Sequence, residues 1–171
     1  MTLIVSTIIV FCIYNIMTLM TFGVPKHLSS TYSLFGDYKR WLRLLFPFFI
    51  LLQFCLFVPV WWDMSMNINH RSSFFVLVTA FMMLIIAFSG NYRCNKCLYC
   101  VHYAAAITAG ISAVMWIFWI SPFWPLPLFI LVTSIAIAYR TRTLYSSFLY
   151  WIELVAFSSL YIVVLLMKIY L

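Results

Sequence analysis

Six long apolar stretches take up nearly all of this 171-residue chain, over 2–22, 41–61, 73–89, 101–121, 123–139 and 144–167. A helix that crosses a bilayer needs roughly 20 predominantly apolar residues, with a lower limit of about 17. The third and fifth stretches are the shortest and still fall within that range. Charged residues make up 8% of the chain, against about 25% in a soluble domain. A lipid-facing bundle needs this much apolar surface; a globular core does not. The runs are continuously apolar rather than alternating, which excludes a transmembrane β-barrel. The sequence therefore predicts an all-α, polytopic membrane protein. It reads as one transmembrane domain over 1–171, a bundle of six spanning helices. Any activity has to sit within the bilayer or in the short loops.

The stretch 2–22 lacks a basic leader and a small-residue cleavage site, and its apolar run is long for a secretory signal. It reads as a retained first helix.

Net charge is +7, but its distribution argues against a nucleic-acid partner. Lys26, Lys39, Arg40, Arg43, Arg93, Lys96, Arg140 and Arg142 fall in three loops that six spans would place on one side. Only Arg71 and Lys168 fall on the other. Loops rich in Lys and Arg stay in the cytoplasm. The expectation is a cell-membrane protein with cytoplasmic basic loops and both termini outside. Trp61, Trp62, Trp116, Trp119 and Trp124 group near the expected outer ends, where indole rings favour the interface.

The loop 23–43 is the longest polar stretch. Gly23 and Pro25 stop the first helix. Leu28, Tyr32, Phe35, Tyr38 and Trp41 then recur at helical steps. They predict a short interfacial helix, with Ser29 or Ser30 as its cap. Pro47 and Pro59 lie in the second span and can bend it. Ala105, Ala109 and Ala113, beside Ala106 and Gly110, form a small-residue seam on the fourth span. Such seams let helices approach closely, within one chain or between copies in a homo-oligomer.

Few residues can carry chemistry. Glu153 lies inside the sixth span. A carboxylate there costs roughly 2.5–3.5 kcal/mol on insertion scales and needs a partner or a wet cavity. Asn15, Gln53 or a serine could supply that partner. Cys94, Cys97 and Cys100 recur at three-residue steps in an inner loop, with His102 two residues on. These four could hold zinc or iron, although one local run wraps a tetrahedral ion poorly. The thiols could equally be acylated or remain ordinary cysteines. No cofactor is expected otherwise. His27, His102 and Glu153 approach from the same side and form the one plausible acid–base or ligand-binding constellation. Asp37 beside Lys39 and Arg40 reads as a solvated ion pair. Asp63 and His70 read as outer-loop residues. The chain has no Gly-x-Ser-x-Gly and no phosphate-cradling glycine loop.

The run Gly23-Val24-Pro25-Lys26-His27-Leu28-Ser29-Ser30-Thr31-Tyr32, together with Val101-His102-Tyr103-Ala104-Ala105-Ala106, resembles small six-helix membrane proteins of Bacteroidetes and their phages. The resemblance implies six helices and draws attention to the first inner loop and to His102. It implies no activity.

Three functions fit these residues. The first is binding of a lipid, a small hydrophobic ligand or a membrane partner in a polar pocket on the cytoplasmic half. The second is a membrane-embedded enzyme in which His102 and Glu153, with or without a metal, act on a lipid or peptide. The third is an oligomeric, phage- or defence-related membrane effector.

Overall fold

A computed structural model describes residues 1–90 and 96–170. Among these, every regular element is helical: α1 (Thr2–Phe22), α2 (Thr31–Tyr38), α3 (Leu45–Ile68), α4 (Ser73–Phe88), α5 (Lys96–Ile120), α6 (Leu126–Arg140) and α7 (Phe148–Tyr170). Short 3-10 turns, Leu28–Ser30, Arg40–Leu44 and His70–Ser72, lead into α2, α3 and α4. Five helical stretches are long and apolar enough to cross a membrane: Thr2–Phe22, Arg40–Ile68, His70–Phe88, Lys96–Ile120 and Phe148–Tyr170. They mark the chain as an integral, multi-pass membrane protein. The sixth, α6, has 15 residues. It rises about 22 Å, short of a hydrocarbon core of roughly 30 Å.

The helices alternate in direction, as side-chain contacts at both ends of the bundle show. At one end the close of α4 meets the start of α5, where Ser89 Oγ and His102 Nδ1 share a hydrogen bond of 2.9 Å. There too the start of α7 meets the end of α1, where the Tyr150 hydroxyl donates to Asn15 Oδ1 at 3.0 Å. At the far end Trp116 on α5 donates from Nε1 to Ser65 Oγ on α3 at 2.7 Å. Lys168 on α7 lies 3.9 Å from Asp63 on α3. Helix α6 runs antiparallel to α7: Trp151 Nε1 donates to Thr143 Oγ1 at 3.1 Å near one end, and the Phe123 and Tyr170 rings lie 6.1 Å apart near the other. Lys26, Lys39, Arg40, Arg43, Lys96, Arg140 and Arg142 gather at the end where α5 and α7 begin. We refer to it as the basic end.

The first helix forms over the expected residues. Gly23 closes it at φ 72°, in the left-handed region that glycine adopts without a Cβ penalty, and its N–H donates to Leu19 O at 3.0 Å. Other boundaries move. The second span opens as a 3-10 turn, Arg40–Leu44, before α3 begins, and α3 continues through Asp63 to Ile68. Asp63 is thus a helical residue, not a loop residue, and its partner is Lys168. Pro47 sits in the first turn of α3, where N–H groups have no partner within the helix, whereas Pro59 falls in its interior.

Helix α5 begins at Lys96, so Cys97 and Cys100 are helical rather than in a loop. Cys94 lies outside the described residues.

Two tryptophans expected at the interface are core residues. Trp61 and Trp116 are both fully buried and meet edge to face at 5.3 Å. Trp119 and Trp124 are exposed, as interfacial indoles would be. Asp37 is exposed and forms no ion pair among the described residues.

Ala105, Ala109 and Ala113 are buried against α4. Ser112 Oγ on α5 donates across this contact to Phe75 O at 2.9 Å, and Thr79 Oγ1 on α4 approaches Ala109 O at 3.5 Å. The alanine seam therefore serves packing within the chain. Ala106 and Gly110, one residue round the helix, face a different direction.

Candidate functional site

The segment between α1 and α3 builds the basic end. It forms the expected short helix in a modified form: a 3-10 turn, Leu28–Ser30, runs directly into α2. Leu28, Ser29, Ser30, Thr31 and Phe35 are buried, while Tyr38 and Trp41 are exposed. The buried face thus carries small hydroxyl residues, which suit packing against helix backbones. It lies across the basic end as a plug. The hydroxyls of Tyr14 and Thr31 share a hydrogen bond. Phe22 and Phe35 meet edge to face at 5.0 Å. Tyr32 packs onto Gly90, where a Cβ would lie 2.8 Å from the Tyr32 ring.

Glu153 holds the plug. Its carboxylate accepts a hydrogen bond from the Leu28 backbone N–H. The expected partners are engaged elsewhere. Asn15 accepts from Tyr150 and donates to Phe11 O at 2.8 Å, and Gln53 Nε2 donates to Thr7 O at 3.2 Å. Nor does a serine cap α2: the Ser30 hydroxyl donates backwards to His27 O at 2.6 Å. Helix α7 benefits in turn. Its Tyr150 N–H donates to Lys26 O at 3.2 Å, and Ser147 Oγ donates to Val24 O at 3.3 Å. Both helix starts would otherwise carry backbone donors without acceptors. Plug and α7 supply those acceptors to each other across more than a hundred residues of sequence.

His27 and His102 lie beside this junction. His27 shares hydrogen bonds with Ser29 Oγ at 3.0 Å through Nδ1 and with the Tyr103 hydroxyl at 3.2 Å through Nε2. The Tyr103 ring lies 5.8 Å from His27 and 5.9 Å from His102, edge-on to both. His102 is buried and bonded to Ser89. Sequence reasoning grouped His27, His102 and Glu153, and the fold brings all three to one end of the bundle. It missed Ser29 and Tyr103, which hydrogen-bond His27, and Ser89, which hydrogen-bonds His102.

Two adjoining spaces open from this polar cluster. A groove of about 420 Å³ runs between α5 and α7, walled by Ile107, Ile111, Val114, Leu149 and Ile152. An inner cavity of about 90 Å³ reaches into the bundle centre toward Phe57, Leu160 and Tyr161. Ser29, His102, Glu153, Ala106, Gly110 and Ala156 line both. The first three form a polar cap and the last three an apolar neck of small residues. A Cβ on Gly110 would meet nothing within 4 Å, so the neck borders open space on that side.

Of the candidate metal set, Cys94 lies outside the described residues. Cys97 and Cys100 are exposed on α5, while His102 is turned into the bundle. Among the described residues, no three His, Cys, Asp or Glu side chains group as metal ligands. No protein-family model, curated protein or solved structure matches the chain.

Proposed function

We propose that this chain is a six-crossing membrane protein that holds an amphiphile in the groove between α5 and α7. The polar end of the guest meets Ser29, His102 and Glu153, and its apolar part lies along Ile107, Ile111 and Ile152. One observation carries this reading: an apolar groove of about 420 Å³ ends in a cluster of polar side chains. That pattern suits a molecule with one wet end and one oily end. Membrane lipids are the most abundant molecules of that kind around such a helix pair.

In this reading α6 is the sixth crossing. Helices α5 and α7 both begin at the basic end, so the chain must return along the bundle between them. Helix α6 and its flanking turns cover that return, with local thinning of the bilayer accommodating its length. The basic end is then cytoplasmic by its excess of Lys and Arg, and both termini lie outside. The resemblance to six-helix proteins of Bacteroidetes and their phages accords with this count.

Native mass spectrometry of the detergent-released protein tests the reading. A retained lipid-sized mass is expected, and Gly110→Leu should remove it by filling the neck. No retained mass, or a mass equally retained by the variant, overturns the groove. A retained second copy of the chain, lost in the same variant, would instead make the groove a homo-oligomer contact. One observation also supports an enzyme at this site: His102 and Glu153 line the same two spaces. Retained lipid that emerges cleaved from wild type but intact from His102→Ala would establish that second reading.

A further inference from the structure

We propose that the turn between α6 and α7 binds the phosphate of an anionic phospholipid, held by Arg140 and Arg142. The site shares no lining residue with the groove between α5 and α7 and does not depend on it.

Helix α6 closes through a left-handed residue. The Arg142 N–H donates to Tyr139 O at 3.1 Å, and the Thr143 N–H donates to Ala138 O at 2.9 Å. Arg142 itself stands at φ 56°, the one positive φ at a residue other than glycine among the described residues. Glycine is the usual residue there, because a Cβ is penalised. The guanidinium is not needed to cap α6, whose last carbonyls already accept from the backbone. An arginine in a position that suits glycine points to a use for its side chain.

Arg140 and Arg142 line a recess of about 420 Å³ with Tyr139, Leu144 and Tyr145. The turn that carries them is braced. Thr141 Oγ1 and Thr143 Oγ1 share a hydrogen bond of 2.8 Å, and Thr143 Oγ1 accepts from Trp151 Nε1 on α7 at 3.1 Å. No carboxylate meets the two guanidinium groups among the described residues. The chain has three side-chain carboxylates in all. Asp63 lies beside Lys168 at the far end, and Glu153 holds the Leu28 N–H. Asp37, on α2, forms no ion pair among the described residues. The counter-ion of the recess therefore comes from outside the chain. Guanidinium groups match phosphate in geometry as well as charge, and both arginines open on the same recess.

The surroundings favour a phosphate with acyl chains attached. Leu128, Val132, Ile135 and Tyr139 follow at three- and four-residue steps along α6, and all are exposed. This apolar stripe leads away from the recess on the lipid-facing side of α6, where chains can lie. A free phosphate would use the recess alone. Basic clusters beside the ends of spanning helices attract anionic lipids, by about fivefold in affinity for each Lys or Arg.

Dioleoyl phosphatidylglycerol, dioleoyl phosphatidylcholine and inorganic phosphate test the assignment. Each is added to the full chain in neutral maltoside detergent, and the thermal midpoint is followed. Wild type should gain most from phosphatidylglycerol, since the choline lipid brings its own cation. Arg140→Gln and Arg142→Gln should each raise the half-saturating concentration of phosphatidylglycerol about fivefold. Arg142→Gly should do the same and also raise the lipid-free midpoint, because glycine relieves the backbone. Gly110→Leu, placed in the other groove, should leave the phosphatidylglycerol response whole. An equal response to the two lipids, or an unchanged half-saturation in either glutamine variant, overturns the proposal. So does loss of the response in Gly110→Leu, which would place the lipid in the groove. A lipid-free midpoint that falls in Arg142→Gly would make the arginine a structural residue and overturn it as well. A shift from inorganic phosphate as large as that from phosphatidylglycerol overturns the lipid as the source.

Discussion

Glu153 is the residue on which the basic end turns. A carboxylate in a spanning helix looks functional from sequence because it is expensive there. Here it accepts from the Leu28 N–H and so anchors the plug to α7. Leu28 is buried, so removing the acceptor strands a backbone donor away from water. Such a loss costs about 1–3 kcal/mol. Glu153→Ala should lower unfolding stability in detergent by that amount, whereas Glu153→Gln, which keeps an acceptor oxygen, should lose less. Equal losses for the two variants would show that the acceptor is not what matters. The partner of Glu153 could not be read from the chain, because it is a backbone amide 125 residues away and side-chain pattern says nothing of backbone donors.

Between elements, small residues decide what packs and what stays open. Ala109 and Gly110 are neighbours in sequence with opposite surroundings. Ala109 is buried against α4, and Gly110 faces open space. Enlarging Ala109 to Leu should overpack the α4–α5 contact and destabilise the protein by about 1–3 kcal/mol. Gly110→Leu should fold at least as well as wild type, since leucine also has the better helix propensity. Detergent unfolding curves of the two variants distinguish them, and a comparable loss at both positions would contradict this account. At the plug, Gly90→Ala places a methyl 2.8 Å from the Tyr32 ring. It should lower the thermal midpoint with helix content unchanged; an unaltered midpoint would mean that Tyr32 moves aside freely. The seam itself was legible from the alanine spacing, but not which helix would cover it. Helix existence was likewise legible, while several ends were not, because an apolar run marks what lies in lipid rather than where hydrogen bonding stops. Cys97 and Cys100 were assigned to a loop for that reason. Trp61 and Trp116 were misplaced because position near a span's end does not say which way an indole points. Theirs meet each other, and Ser65 receives the Trp116 donor.

For the molecule as a whole, the open question of topology is how many times the chain crosses. Five helices are long enough by themselves, and α6 falls short by roughly 8 Å of the hydrocarbon core. Packing nevertheless fixes its direction. The Thr143–Trp151 and Phe123–Tyr170 contacts make α6 antiparallel to α7, and α7 starts at the end where α5 starts. On the proposed six-crossing reading, α6 returns the chain to the basic end before α7 begins. Mismatch of this size costs fractions of a kcal/mol per Å, much less than exposing two apolar helices to water. A reporter that is active only outside the membrane, fused after residue 171, should therefore be active. The same reporter inserted at Ser146, between α6 and α7, should be silent. An inactive C-terminal fusion with the protein intact would overturn this topology.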